Sequence, residues 1–296
     1  MFGTFKIFGS QYLEKKVNIP WKLKSKIFQI IDIFNMPSVL YFLQKNVTKR
    51  SRVKSLEVDE MWERHKKSLV KYSTTGLVFE FGAGKNLAQN IFLSGVVDQQ
   101  LVVDLNAMID LKLVNTARNF LSEIIQLRSK ENIKTNDDLQ NYGITYKAPY
   151  DAAKTDLKDK SIDACISSVT LEHVPKESIV QIFTELRRTL REDGIVSATI
   201  DYSDHYAHTD PTISLLNYLR YPDFEWDKYN HSCHYQNRLR HYDYKKIFSE
   251  CGFQILEEEV FYQENQIPDE LKKEFFNKDP SWCATSSYVV LKKIGC

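Results

Sequence analysis

The sequence lacks the marks of a secreted, membrane-spanning or nucleic-acid-binding protein. Its five cysteines, Cys165, Cys233, Cys251, Cys283 and Cys296, form no C-x-x-C pair. That argues against a structural zinc site or a disulfide framework and for a reducing compartment. No apolar run reaches the roughly 20 residues that a spanning helix needs. The most apolar early stretch, Ile27 to Leu43, is interrupted by Gln29, Asp32, Asn35 and Pro37. Residues 1–20 show no apolar core followed by a small-residue cleavage site, so no secretory leader is predicted. Internal repeats, low-complexity runs and an aromatic-basic stripe are also missing, and no nucleic-acid partner is expected. Net charge is only +1 over 296 residues, but it is unevenly placed: residues 1–54 hold 11 Lys and Arg against two acids. A hydrophobic content of 43% is enough to bury a full core, as one large domain or a domain with additions.

What is present centres on Val78 to Asn86, VFEFGAGKN. An apolar strand runs into Glu80, then into Gly82 and Gly84, then into a helix expected to begin near Asn86. Glycines at such a turn permit positive φ and close approach of a ligand. The free N–H groups of a helix start favour a polar or anionic group, although an ordinary βα loop has the same outline. The third glycine of the dinucleotide fingerprint G-x-G-x-x-G is missing, since Leu87 stands there. Downstream, QLVVD (100–104) reads as a second buried strand ending in an acid, and a carboxylate there can accept both hydroxyls of a ribose. Strands at about 77–81, 100–104, 143–147, 162–167 and 195–200 alternate with helices at about 86–94, 112–130 and 176–191. The last of these helices is expected to stop at Gly194. This α/β rhythm predicts a parallel sheet with helices on both faces. A helix near 244–251 and strands at about 253–260 and 286–292 complete the chain.

The acid two residues before the first glycine, in E-x-G-x-G, resembles the first motif of class I S-adenosylmethionine (SAM) methyltransferases of the type 11-like kind. The segment YDAAKTDLKDKSIDACISSVTLEHV (150–174) resembles their central segment, in which an Asp-Ala pair precedes a fourth strand and "LEHV" follows it. The resemblance implies a Rossmann-like seven-stranded sheet, mostly parallel with the last strand antiparallel. It implies S-adenosylmethionine as cofactor, with Glu80 near its ammonium and Gly82, Ala83 and Gly84 letting it lie against the backbone ahead of Asn86. Asp104 would be the ribose acid and Asp151 would accept from the adenine amine, with Asn86, Leu105, Ala152 and Ser167 as further cofactor contacts. The domain is expected over 71–296, with an acceptor-binding insertion at about 201–241, after a basic, partly amphipathic helical extension over 1–70. HYQNRLRHYDY (234–244), following IDYSDHYAH (200–208), resembles bacterial methyltransferases of surface-polysaccharide pathways. A sugar or glycan-type acceptor is implied, as a small molecule or lipid-linked.

In open α/β sheets ligands lie beyond the carboxyl ends of the strands. Six of the seven histidines fall between 173 and 241, where such a site is expected. Methyl transfer to a hydroxyl needs alignment of the nucleophile and removal of its proton, and a carboxylate-oriented histidine suits that task. The candidates are His205 with Asp201 or Asp204, His173 with Glu172, and His208; solvated imidazoles on a polar loop are the plainer reading. His205, His208 and Asp210, or His231 and His234, could instead hold a divalent ion, but their spacings match no zinc signature and no metal is predicted. Glu172, Tyr202, Tyr235, Arg238 and His241 are the candidate acceptor contacts. SSVT (167–170) occupies the place of an amine-binding Asn/Asp-Pro-Pro-Tyr motif, which argues against N-methylation of protein or nucleobase. Another transferase on the same fold and a non-catalytic SAM-fold scaffold are the rivals, and the intact acids and glycines argue against the scaffold. A helix is expected over Trp21 to Phe34, broken at Pro37, with Lys49, Arg50, Arg52 and Lys54 beyond it. It would either lie on an anionic membrane face or anionic substrate, or cap the domain with its lysines solvated. Localisation is read as cytoplasmic, with the inner membrane face as the site of peripheral contact, and oligomeric state is left open.

Overall fold

The computed structural model describes residues 18–34, 58–276 and 279–295. The break at Pro37 and the cationic group at 49–54 lie outside the described residues. In chain order the main elements are helices α1 (Trp21–Ile33) and α2 (Glu60–Lys71), strand β1 (Leu77–Phe81), α3 (Ala88–Leu93), β2 (Gln99–Val103) and α4 (Leu111–Ile124). There follow β3 (Ile144–Lys147), β4 (Ile162–Ser168), α5 (Lys176–Thr189), β5 (Leu190–Asp201), α6 (His241–Glu250), β6 (Phe253–Phe261) and β7 (Ser286–Lys293).

Seven strands form one sheet in the order β3-β2-β1-β4-β5-β7-β6. β1 to β5 pair in parallel, and β7 runs antiparallel to both β5 and β6. This is the Rossmann-like methyltransferase sheet. The central strands read as apolar runs because helices cover both faces. Side chains alternate, so Phe79 and Phe81 join Phe183, Leu186 and Phe248 on one side, while Val78 joins Ile91, Val114 and Leu69 on the other. Asp59 caps α2 by accepting from the Met61 N–H (2.9 Å), and Asp110 caps α4 by accepting from Lys112 (3.0 Å).

Several boundaries differ from the sequence reading. α5 ends at Thr189 and β5 begins at Leu190, so Gly194 lies inside the strand rather than ending the helix. It sits where the β4–β5 register shifts, and a Cβ there would stand 2.9 Å from the Asp163 carbonyl oxygen. α3 starts at Ala88, two residues later than expected, because Leu87 takes φ +45° and Asn86 Oδ1 accepts from the Ala88 N–H (3.0 Å). α4 ends at Ile124 instead of running to about 130. The boundary drawn at residue 70 runs through α2, whose Met61, Trp62 and Leu69 pack into the sheet core.

α1 is a helix as expected, and it caps the domain. Its inner face (Trp21, Phe28, Ile31) forms an aromatic core with Tyr206, Tyr218 and Trp226 of the 201–241 insertion. Trp21 is ringed by Tyr206, Tyr221, Trp226 and Tyr229 at centroid distances of 4.8–6.2 Å. Asp210 accepts from the Trp21 N–H at 2.8 Å, and Asp32 accepts from Ser232 N (2.7 Å) and Oγ (2.9 Å). Among the described residues no helix is long and apolar enough to cross a membrane.

Candidate functional site

The turn after β1 has the geometry that its glycines foreshadow. Gly82 and Gly84 both have φ +77°. A Cβ on Gly82 would stand 2.3 Å from Thr170 Cγ2, so that glycine is required by the loop after β4. A Cβ on Gly84 would meet nothing within 4 Å, so its side of the turn is open. Beside this opening lie two buried carboxylates, Glu80 (3% exposed) and Asp104 (4% exposed). Glu80 accepts from Gln89 Nε2 (3.0 Å) and Asn90 Nδ2 (2.6 Å). Burial pushes its pKa up to about 7, the two amides pull it down, and the Asp104 charge adds to the rise. Asp104 Oδ2 accepts from Tyr146 OH at 2.9 Å, and burial raises this acid too, against that bond and one from the Gly84 N–H.

The remaining cofactor candidates divide. Leu105 is 68% exposed next to Asp104 and offers an apolar surface. Asp151 lies exposed, with Oδ1 accepting from the Ala153 N–H (2.9 Å), and Ala152 is buried in the core. Ser167 is fully buried, and its Oγ has no hydrogen-bond partner among the described residues. Buried acids for an ammonium and a diol beside an open glycine cradle fit S-adenosylmethionine. Glu80, Gly82 to Gly84 and Asp104 are the residues that would hold it.

Sequence reasoning missed the support behind Glu80. Gln89 Oε1 accepts from Ser168 Oγ (2.9 Å), which uses that hydroxyl's proton, so Ser168 accepts from His65 Nε2 (3.1 Å). His65 Nδ1 then accepts from Ser197 Oγ (2.7 Å), which fixes a neutral tautomer. Complete burial holds the His65 pKa down to about 3, with Arg64 adding to the fall. His65 stood apart in sequence from the other six histidines, and nothing local marked it. Gln89 and Asn90 could have been found as amides on the first turn after the glycines.

The candidate acceptor end is built from two loops at the carboxyl ends of β4 and β5. Thr170 Oγ1 donates to the Gly82 carbonyl (3.2 Å), which ties the loop carrying Glu172 and His173 to the glycine turn. Asp201 ends β5. Its Oδ2 stands 3.5 Å from His205 Nε2 and 3.8 Å from His208 Nε2, and its Oδ1 accepts from the Ser203 N–H (2.8 Å). Burial would raise the pKa of Asp201, but His205, His208 and Ser203 outweigh it and hold the acid down to about 2. His173 lies against His205, ring centroids 4.9 Å apart, with Nδ1 donating to the Tyr235 carbonyl (2.8 Å). Burial, and the Asp201 charge after it, pushes Glu172 well above the carboxylate range. The partner of His205 is thus Asp201. Asp204 accepts instead from Asn217 Nδ2 (3.0 Å) and the Tyr206 N–H (2.8 Å).

Three of the five candidate acceptor contacts are committed elsewhere. Tyr202 OH is buried between His241 Nδ1 (3.0 Å) and Ser287 Oγ (2.7 Å). His241 Nε2 meets Glu258 (2.8 Å), and Arg238 donates to Asp223 (2.7 Å) and to the Tyr218 and Tyr221 carbonyls. These residues hold the insertion together, whereas Glu172 and Tyr235 stay beside the histidines. Neither metal set weighed from the sequence forms: Asp210 binds the start of α1, and His231 Nε2 meets Ser25 Oγ (2.9 Å).

Residues 115–198, from within α4 into β5, match the profile of a family described as Methyltransferase domain. No curated protein matches the chain. Solved structures similar to it include an S-adenosylmethionine-dependent methyltransferase from Clostridium acetobutylicum ATCC 824, at 10% identity over 87% of this chain and 98% of that one, with a TM-score of 0.48. An S-adenosylmethionine-dependent methyltransferase from Mesorhizobium loti is 15% identical over 77% of this chain and 96% of that one, with a TM-score of 0.44. The CurJ carbon methyltransferase is 14% identical over 88% of this chain and 61% of that one, with a TM-score of 0.49. The sheet order, the turn with its acids and the profile match define the class: the chain is a SAM-dependent methyltransferase. Its cofactor is S-adenosylmethionine.

Proposed function

We propose that the protein is a SAM-dependent O-methyltransferase whose acceptor is a hydroxyl of a sugar or glycan-type molecule. The observation that carries this reading is the set of Asp201, His205, His208 and His173, drawn together by two loops beside the glycine turn. Bound SAM supplies a methyl group on a sulfonium: the new O–C bond forms as the S–C bond breaks, the electron pair stays on sulfur, and the hydroxyl proton is released. The chain's own part is to hold the cofactor through Glu80 and Asp104, align the hydroxyl, and govern its proton in the histidine cluster. Ser167 to Thr170 offers a hydroxyl-bearing loop in place of an amine-binding motif, which favours oxygen as the nucleophile. Tyr235, whose carbonyl meets His173, offers an aromatic face that suits a polyol. A cytoplasmic enzyme meeting a lipid-linked acceptor at the inner membrane face fits the basic residues of 1–54.

The test is calorimetric titration with SAM and its demethylated product, followed by a screen of sugar nucleotides and lipid-linked glycans as methyl acceptors. Asp104→Ala is expected to weaken SAM binding by about 1–3 kcal/mol. His205→Ala is expected to keep SAM affinity and lose roughly 10²–10⁴ in turnover. Failure of the intact chain to bind SAM would favour a scaffold role, and methylation of amines alone would refute oxygen as the acceptor atom.

A further inference from the structure

We propose that Asp201, His205 and His208, with Glu172 and His173 as neighbours of His205, hold a divalent transition-metal ion that takes the acceptor hydroxyl as a further ligand. The inference rests on the O-methyltransferase reading for what the ion does, and on geometry alone for the ion itself. Two triads, Asp201–His205–His208 and Glu172–His173–His205, share His205, and in each the ligand atoms lie within 4.8 Å of one another. The 3.5 and 3.8 Å separations from Asp201 Oδ2 to the two imidazole nitrogens are too long for good hydrogen bonds, and the 3.0 Å contact of His208 Nε2 with Ser203 Oγ is one that the ion would replace. They are close to the roughly 3.4 Å between two donors placed tetrahedrally about 2.1 Å from a shared ion.

Two further observations point to a cation. His205 is 9% exposed and Glu172 is 2% exposed, yet His205 Nε2 and Glu172 Oε2 have no hydrogen-bond partner among the described residues. Leaving such atoms unsatisfied is costly; an ion on His205 Nε2 would be a partner for that atom and a nearby positive charge for Glu172. The surrounding groups are also those that orient ligands. His173 Nδ1–H donates to the Tyr235 carbonyl, which leaves the Nε2 lone pair available, and Ser203 N–H holds the second oxygen of Asp201. A donor set richer in imidazole than in carboxylate favours the manganese-to-zinc series over magnesium or calcium. The ion's work would be to fix the hydroxyl and lower its pKa, so that its proton passes to water as the methyl is transferred.

The full chain, stripped with a chelator, should be titrated with Co²⁺ by visible absorption and with Mn²⁺ by electron paramagnetic resonance. One ion per chain is expected. Affinity should fall at least about tenfold in His205→Ala and in the near-isosteric Asp201→Asn, and stay unchanged in His231→Ala. Circular dichroism checks that each variant is folded. No binding by the intact chain, or binding indifferent to both cluster variants, overturns the metal site. The same metal-free sample is titrated with SAM and assayed for methyl transfer. Hydroxyl methylation that proceeds without the ion overturns the inference and leaves the O-methyltransferase reading standing; an ion bound as expected with amine-only methylation overturns that reading and the ion's role with it.

Discussion

Lowering the pH from 7 to 5 is expected to weaken SAM binding about 50-fold, through Glu80 alone. Its carboxyl titrates at about 7 in the free protein because it is buried beside Asp104. The ammonium of SAM stays protonated in this window, since α-amines titrate near 7.7–8.0. If the ammonium is held by ionised Glu80, free protein must lose a proton before it binds. The penalty factor is 1 + 10^(7 − pH), which is about 2 at pH 7, about 11 at pH 6 and about 100 at pH 5. The 50-fold span corresponds to about 2.3 kcal/mol. Calorimetry in buffers of different ionisation enthalpy would show about 0.9 proton released per SAM at pH 6. Glu80→Gln should bind more weakly at pH 7 and show neither the pH slope nor the proton release. A wild-type affinity that is flat from pH 5 to 7 would refute the reasoning and remove Glu80 from contact with the ammonium.

The same group sets a stability trend of the opposite sense. Because the folded pKa of Glu80 is raised from 4.5 to about 7, its contribution is present in full below pH 4.5 and lost as pH rises through 7. The loss is about 3 kcal/mol for the SAM-free protein, and bound SAM should reverse it.

Gly84→Ala and Gly82→Ala should separate fold from cofactor binding. At Gly84 the added methyl has room but fills the cradle at φ +77°, so SAM affinity should fall at least about tenfold while thermal unfolding shifts by only the 1–2 kcal/mol of backbone strain. At Gly82 the clash with Thr170 should lower stability further, with insoluble expression or a much lower melting temperature as the readout. His65→Ala leaves a cavity and takes one hydrogen-bond partner each from Ser168 and Ser197; a loss of about 2–4 kcal/mol in denaturant unfolding is expected. Because the folded pKa of His65 is depressed to about 3, its contribution is lost as pH falls below 6.5, a trend that the variant should lack. Trp21→Ala removes the centre of an aromatic cluster and should cost about 3–5 kcal/mol of α1 docking, seen as faster hydrogen exchange over 21–33, with SAM affinity unchanged. A loss of SAM affinity would mean that α1 supports the cofactor half as well.

The turn after β1 and the acids beside it were legible because their signals are local. Glu80, Gly82 and Gly84 lie within one turn, and Asp104 ends the next strand, so strand pairing alone brings the two acids together. The acceptor half was legible only as a crowd of histidines. Which of them meet depends on how two loops fold: His205 and His208 reach Asp201 because the chain turns back after β5, and His173 joins them through the loop after β4. Tyr202, Arg238 and His241 have the residue types of an acceptor site, but they are spent on holding the insertion to β7, β6 and the rest of its own chain. The docking of α1 on that insertion spans about 190 residues of sequence, as the bond from Trp21 to Asp210 shows, and no periodicity could forecast it.

Both halves of the site share one electrostatic design. Glu80 and Glu172 are each shut away from water beside a second acid, Asp104 and Asp201 respectively, and each is pushed towards its neutral form. Buried acids held this way cost stability when they ionise, and a cation placed among them recovers that cost. On the cofactor side the proposed cation is the ammonium of SAM. On the acceptor side the imidazoles of His205 and His208 already hold Asp201 ionised, while Glu172 Oε2 still lacks a partner among the described residues. The two ends therefore differ in a measurable way: SAM should stabilise the protein more as pH rises from 5 to 7, and in the SAM complex the cluster around Asp201 still offers a place for a second positive ligand.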